Sequence, residues 1–153
     1  MKYIWSCETP AGALEIAETD GKISYVSFKG AKDLTEFEQK ETPLIKKAAT
    51  QLSEYFAGKR KKFDLPLLLQ GTPFQVAVWE ALNKIPYGET RSYKDIAKEI
   101  GNIKAVRAVG MANNRNKIAI VIPCHRVIGS NGSLVGYAGG LDIKELLLGL
   151  EKQ

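Results

Sequence analysis

At 153 residues and 44% hydrophobic content, the chain is long enough for one ordinary domain or two small ones around a real core. No run of 18 apolar residues occurs, and the N-terminus Met-Lys-Tyr-Ile-Trp-Ser-Cys-Glu lacks a long apolar stretch and a small-residue cleavage site. This reads against a membrane span or secretory signal and for an intracellular, cytoplasmic globular chain. The net charge of +5 is uneven: residues 1–66 hold 11 Lys/Arg against 10 Asp/Glu, and residues 67–153 hold 11 against 7.

The first elements are strand-like. Tyr3–Cys7, Ala13–Glu18 and Ile23–Phe28 are separated by the turn signals Thr9-Pro10-Ala11-Gly12 and Asp20-Gly21-Lys22, which predicts an antiparallel meander. Cys7, near the end of the first strand, reads as a small structural residue. Residues 30–41 are polar without a clear period and read as a loop or short exposed helix. Thr42-Pro43 then provides a cap and a first-turn proline. Leu44, Ile45, Ala48, Ala49, Leu52, Tyr55 and Phe56 recur on one face until Gly58, so a helix is expected to cover the meander. The basic run Lys59–Lys62 reads as a solvated linker, and a domain boundary is expected between Leu65 and Gly71, dividing the chain into 1–66 and 67–153.

The second half opens on Thr72-Pro73 and a helix carrying Phe74, Val78, Trp79 and Leu82, broken by Ile85-Pro86-Tyr87-Gly88. Ser92 with Asp95 forms a capping-box signature for a short helix with Ile96, Ala97 and Ile100, ending at Gly101. A second helix is expected over Lys104–Asn113, with Ala105, Val106, Val109 and Ala112 inward and Arg107, Asn114 and Arg115 towards its exposed side and end. Two short helices about a glycine-containing turn match a helix-turn-helix. Between Arg91 and Arg126 stand eight bases and two acids. That concentration suits a polyanion such as nucleic acid, although a solvated basic face carries the same count. Ile118–Ile122 reads as a buried strand delivering Pro123-Cys124-His125-Arg126. Gly129–Ser133 and Gly136–Gly140 read as loops, and Asp142 as the cap of a final helix with Ile143, Leu146, Leu147 and Leu150 inward.

Chemistry concentrates at Cys124-His125. His125 is the only histidine, and with two cysteines, Cys7 and Cys124, a structural zinc site is not expected. A thiol near pKa 8.5 is mostly protonated at neutral pH. A reactive Cys124 therefore calls for a lowered pKa, and His125, Arg126 and any helix N-terminus at Pro123 are the groups within reach. Adjacent side chains diverge in a strand, so pairing Cys124 with His125 calls for a turn there or a bridging water. An inert cysteine at the end of a core strand fits the same residues.

Ile122-Pro123-Cys124-His125-Arg126-Val127, preceded by Asn116 and followed by Tyr137-Ala138-Gly139-Gly140-Leu141 and Lys144-Glu145, resembles the signature of the O6-alkylguanine-DNA alkyltransferases. The likeness runs from about Gly71 to Glu151 and takes in Phe74-Gln75, Trp79, Pro86-Tyr87-Gly88, Ser92-Tyr93 and Arg107-Ala108-Val109-Gly110. The first half resembles the family in length and in its meander-plus-helix pattern. The resemblance implies an α+β chain: a small antiparallel-sheet, ribonuclease H-like N-terminal domain and a helical C-terminal domain with a winged-helix-like helix-turn-helix. It implies a repair protein that moves the alkyl group of O6-alkylguanine, with O4-alkylthymine as a further lesion, irreversibly onto its own cysteine, without metal or cofactor. It also implies a monomer bound to the minor groove of double-stranded DNA containing alkylated guanine.

Carried onto this chain, Cys124 is the acceptor, His125 its base through water, Glu151 the carboxylate that orients the histidine, and Asn116 a brace. Tyr93 assists protonation of the departing guanine. Tyr93, Val127, Tyr137, Ala138 and Lys144 line the base pocket. Arg107 fills the gap left by the extruded nucleotide, and Ser92, Lys104, Ala105, Asn113, Arg115 and Arg126 complete the DNA contacts. Lys117, Asn113 and Ala138 depart from the family's usual proline, apolar residue and serine. A lesion-binding protein without transfer, and a cysteine-histidine thiol hydrolase, are the other functions this arrangement suggests.

Overall fold

The computed structural model describes residues 1–30, 32–137 and 139–152. It divides into two compact units, one of residues 1–69 with 117–119, the other of 70–116 with 120–153. The three residues Lys117–Ala119 thus pack with the first unit although they lie in the second half of the chain.

In the first unit β1 (Lys2–Thr9), β2 (Gly12–Thr19) and β3 (Lys22–Phe28) form the expected meander. The turn between β2 and β3 places both Asp20 (φ 51°) and Gly21 (φ 81°) in the left-handed region, the conformation that lets a two-residue turn follow the twist of its strands. The described part of residues 30–41 is loop, as expected, apart from one short strand. Glu38–Gln39 form β4, parallel to β1, so the order is β3-β2-β1-β4. The pairing gives the Ile4 carbonyl a donor, Lys40 N–H at 3.0 Å, and it accompanies burial of Leu34 and Phe37 with Ile4 and Ala17. A two-residue strand is too short to show a period in sequence.

Helix α1 (Pro43–Phe56) covers the opposite part of the unit and buries Ile45, Ala48, Gln51, Leu52 and Tyr55, while Leu44, Ala49 and Phe56 are half-buried. The Thr42 hydroxyl accepts from Ile45 N–H and donates to the buried Glu18 carboxylate of β2, so one side chain both starts the helix and ties it to the sheet.

The second unit contains α2 (Pro73–Leu82), β5 (Arg91–Ser92), α3 (Tyr93–Glu99), α4 (Val106–Asn114), β6 (Val127–Ile128) and α5 (Leu141–Glu151). The expected capping box of Ser92 with Asp95 forms, and Thr72 with Gln75 makes a second, each pair exchanging two hydrogen bonds of 2.9–3.1 Å. Trp79 of α2 is buried and donates from Nε1 to the Ala112 carbonyl of α4 at 2.9 Å. Helices α3 and α4 about Gly101 form the helix-turn-helix, and β5 pairs in parallel with β6.

Three local expectations change. Helix α4 begins at Val106 rather than Lys104, and Val106 is exposed, because the buried face is set by Val109, Ala112 and Asn113. Ile118–Ile122 is not a strand. Ile118 makes a single bridge to Val26, and the chain then turns through Ile120 at φ 71°, a conformation rare for a β-branched residue. Apolar content reported burial there, and burial does not specify extended backbone. Finally, Gly140 rather than Asp142 occupies the cap position of α5. Asp142 lies in the first turn, where its charge complements the helix dipole.

Replacing Thr42 by Val removes both the cap and the link to Glu18. We expect a loss of about 1–2 kcal/mol in chemical denaturation, with Thr42→Ser retaining most of the stability.

Candidate active site

Cys124 sits on a short 3-10 turn, Cys124–Arg126. Pro123 (φ −80°, ψ 65°) makes an inverse γ-turn, with Cys124 N–H donating to the Ile122 carbonyl at 2.8 Å. The break required for neighbouring Cys124 and His125 to act together is therefore built from the proline. Cys124, His125 and Arg126 are all buried.

The turn is fastened by the last helical residue of the described chain. Glu151 accepts from His125 Nε2 at 2.7 Å, from Arg126 Nε at 2.8 Å and Nη2 at 3.1 Å, and from Gly88 N–H at 3.3 Å. Arg126 also donates from Nη1 to the Ile85 carbonyl at 2.7 Å, and its guanidinium lies 5.7 Å from the centre of the Tyr87 ring. Because a carboxylate only accepts, this arrangement puts the histidine proton on Nε2 and leaves Nδ1 as the basic lone pair. Nδ1 is buried with no protein hydrogen-bond partner among the described residues. Burial holds the His125 pKa below its ordinary 6.5 against the opposing pull of Glu151, so the ring is neutral at neutral pH.

The thiol departs from the expectation of a lowered pKa. Burial raises the Cys124 pKa, and the Asn116 side-chain hydrogen bond and the Lys144 charge oppose that only in part. Arg126 is committed to Glu151 instead. The resting pair is a neutral thiol beside a neutral imidazole.

Asn116 is buried and donates from Nδ2 to the Ile122 carbonyl at 2.8 Å. Lys144 is fully buried, its ammonium held by the carbonyls of Val127 (2.5 Å), Val135 (2.9 Å) and Gly136 (3.1 Å). It thereby joins β6 to the loop before Tyr137. Tyr93 donates to the same Val135 carbonyl at 2.8 Å. The pKa values of Tyr93 and Tyr137 are raised by burial first and by Cys124 second, so both phenols keep their protons and lie near the sulfur. Val127 is buried beside the turn. Ala138 lies outside the described residues.

Along α4 the expected DNA contacts separate. Arg107, Lys104 and Arg115 are exposed, Ala105 and Ser92 half-buried, and Ser92 caps α3. Asn113 is buried, with Nδ2 3.4 Å from the Cys124 carbonyl, and Arg126 is buried against Glu151. Neither is placed to meet a duplex. In both cases a polar side chain found an internal acceptor that sequence does not display. The Ile85, Val135 and Gly136 carbonyls and Gly88 N–H escaped the sequence reading because backbone groups carry no residue-type signal. In α5 Leu147 is buried as expected, but Lys144 and Glu151 complete the buried face, Ile143 and Leu150 are half-buried, and Leu146 is 44% exposed.

Among the described residues no group of three or more His, Cys, Asp or Glu side chains converges as a metal site, and no helix is long and apolar enough to cross a membrane. Residues 2–69 match the ribonuclease-like domain of 6-O-methylguanine DNA methyltransferase, and residues 73–153 match its DNA binding domain. A methylated-DNA–protein-cysteine methyltransferase of Bacillus subtilis is 52% identical over 160 residues, covering 99% of this chain and 96% of the relative. The chain belongs to the methylated-DNA–protein-cysteine methyltransferase family. A second relative of that description, from Methanosarcina acetivorans, is 54% identical over 94% of each chain. A crystal structure of Mycobacterium tuberculosis OGT in complex with DNA superposes with a TM-score of 0.93 at 45% identity, covering 98% of this chain and 92% of that one. Membership of the methyltransferase family thus extends to both units.

Removing the Glu151 charge leaves a buried guanidinium unpaired. We expect Glu151→Gln to lose about 3–5 kcal/mol in denaturant unfolding, and the double change Arg126→Met, Glu151→Gln to lose less than the sum of the two singles.

Proposed function

We propose that this chain repairs alkylated DNA by transferring the alkyl group of O6-alkylguanine to Cys124, once per molecule. The observation that carries the reading is the His125–Glu151 contact on the turn that bears Cys124, in which a carboxylate fixes the proton on Nε2 and leaves Nδ1 as the basic lone pair. The thiol proton passes to His125 Nδ1 through water. The sulfur–carbon bond forms as the carbon–O6 bond breaks, and guanine leaves with the electron pair. Tyr93, kept protonated, supplies the proton that guanine takes up, and the proton lost by the thiol replaces it. Both reactants start neutral, so charge develops in the transition state, where the buried Lys144 ammonium stabilises the sulfur. The thioether product has no leaving group that His125 can assist, which makes the reaction stoichiometric. Asn116 braces the turn through the Ile122 carbonyl, and Val127 and Tyr137 line the base site.

The partner is double-stranded DNA, met in the minor groove by α4 and the bases Lys104, Arg107 and Arg115. Arg107 enters the duplex and holds the extruded nucleotide out, a step that costs a few kcal/mol and less at a damaged pair. The site of action is intracellular, in the cytoplasm, and the protein works as a monomer.

Incubation with a duplex containing O6-methylguanine is expected to add one methyl mass to the peptide holding Cys124, at no more than one equivalent per protein. An unmodified peptide, or many turnovers per protein, would sink this reading, the second outcome pointing to a hydrolase.

The wedge has its own signature. Arg107→Ala should slow repair of the duplex lesion by tenfold or more, with much less effect on reaction with free O6-benzylguanine. Equal losses on both substrates would remove Arg107 from that role.

A further inference from the structure

We propose that Tyr87 is a positioning residue for the transfer, its ring holding the Arg126 guanidinium against Glu151 so that the carboxylate stays neutralised beside His125. The inference rests on the alkyl-transfer reading and gives a part in it to Pro86-Tyr87-Gly88, a stretch that reading leaves without one.

The stretch is built as a clamp. Glu89 N–H donates to the Pro86 carbonyl at 3.1 Å and Gly88 has φ 82°, which makes residues 86–89 a type II turn with Tyr87 and Gly88 at its corners. Such a turn does not use the N–H of its second corner, and Gly88 N–H donates to Glu151 Oε1 at 3.3 Å. A side chain at position 88 is excluded twice, by the positive φ and by the Glu151 carbonyl oxygen, 3.3 Å from where its Cβ would stand. Just before the turn, the Ile85 carbonyl accepts from Arg126 Nη1 at 2.7 Å. Between these two backbone contacts the half-buried Tyr87 ring has its centre 5.7 Å from the guanidinium carbon of the buried Arg126. Consecutive residues thus close over one ion pair.

That ion pair sets the state of the base. A carboxylate without another cation draws a proton onto the imidazole it touches, and Arg126, donating to Glu151 from Nε at 2.8 Å and Nη2 at 3.1 Å, opposes this. Burial lowers the His125 pKa, Glu151 raises it, and the Arg126 and Lys144 charges lower it further. Cys124 beside it starts as a neutral thiol. Of the elements packed on the turn, α5 also carries Asp142 and Glu145 and α2 carries Glu80, all three exposed. Loosening Arg126 therefore moves His125 towards imidazolium, which has no lone pair for the thiol proton. A ring face presents negative potential to a planar cation, which an aliphatic side chain of similar bulk does not.

The test follows single-turnover benzyl transfer from free O6-benzylguanine to Cys124 across the range from about pH 6 to about pH 8.5, read as mass added to the peptide holding Cys124. The free base keeps DNA binding out of the comparison. Tyr87→Leu removes the ring and keeps the bulk, so more of its His125 is protonated at the acid end. Wild type is expected to exceed it by about fivefold near the acid end and by much less near the alkaline end. Tyr87→Phe, which keeps the ring, should follow the wild-type profile. A Tyr87→Leu profile parallel to wild type at every pH, or a Tyr87→Phe profile that follows Tyr87→Leu, would overturn the inference while leaving transfer to Cys124 intact. Tyr87→Met is the second ring-free variant if Tyr87→Leu does not fold, and failure of both to fold would make Tyr87 a structural residue and overturn the inference as well. No benzyl on wild-type Cys124, together with no methyl from a duplex containing O6-methylguanine, would overturn the alkyl-transfer reading and this inference with it.

Discussion

The Glu151 carboxylate is the constraint on which the acceptor site depends. It takes four hydrogen bonds, two from one guanidinium, one from the imidazole and one from the backbone at Gly88. A buried carboxylate is stable only when its oxygens are fully engaged, so each partner is held as firmly as the charge itself. Fixing Arg126 and His125 fixes the 3-10 turn between them and Pro123, and hence the direction of the Cys124 side chain. The contact also makes the far end of α5 part of the site, across 26 residues of sequence.

Burial gives this site a reactivity different from that of an exposed low-pKa cysteine. Desolvation raises the thiol and lowers the imidazole, so neither is ionised at rest. A neutral thiol resists adventitious alkylation and oxidation, which act on the thiolate. That property suits a residue to be used once. In the proposed transfer the ionic form is needed only while the transferred carbon lies between sulfur and oxygen, and Lys144 would be oriented by its three carbonyls before that charge appears.

The same carbonyl set connects recognition with chemistry. Val135 O receives both Lys144 and Tyr93, so the loop that bears Gly136 and Tyr137 is tied to α3 on one side and α5 on the other. The second helix of the helix-turn-helix ends beside this loop, at Asn114. The helix proposed to meet DNA and the turn that bears Cys124 are thereby parts of one small unit.

Much of this was legible in sequence where the signal is local. Thr42-Pro43, Thr72-Pro73 and Ser92 with Asp95 started the helices they announced, because a cap acts within one turn of its own residues. The three strands and their turns followed from alternation and from Asp20-Gly21, and Pro123 marked the break at the cysteine. Tertiary structure alone decided which polar groups go inside. Asn113 and Arg126 read as DNA contacts, and the acceptors that turn them inward, the carbonyls of Cys124 and Ile85 and the Glu151 carboxylate, lie 11 to 41 positions away. Ile118–Ile122 read as a strand because apolar residues report burial, and only the surrounding core determined that the buried backbone turns at Ile120. The chemistry of the acceptor motif was written in the chain, while its electrostatics, a neutral thiol held by a distant carboxylate, exist only once the chain has closed around it.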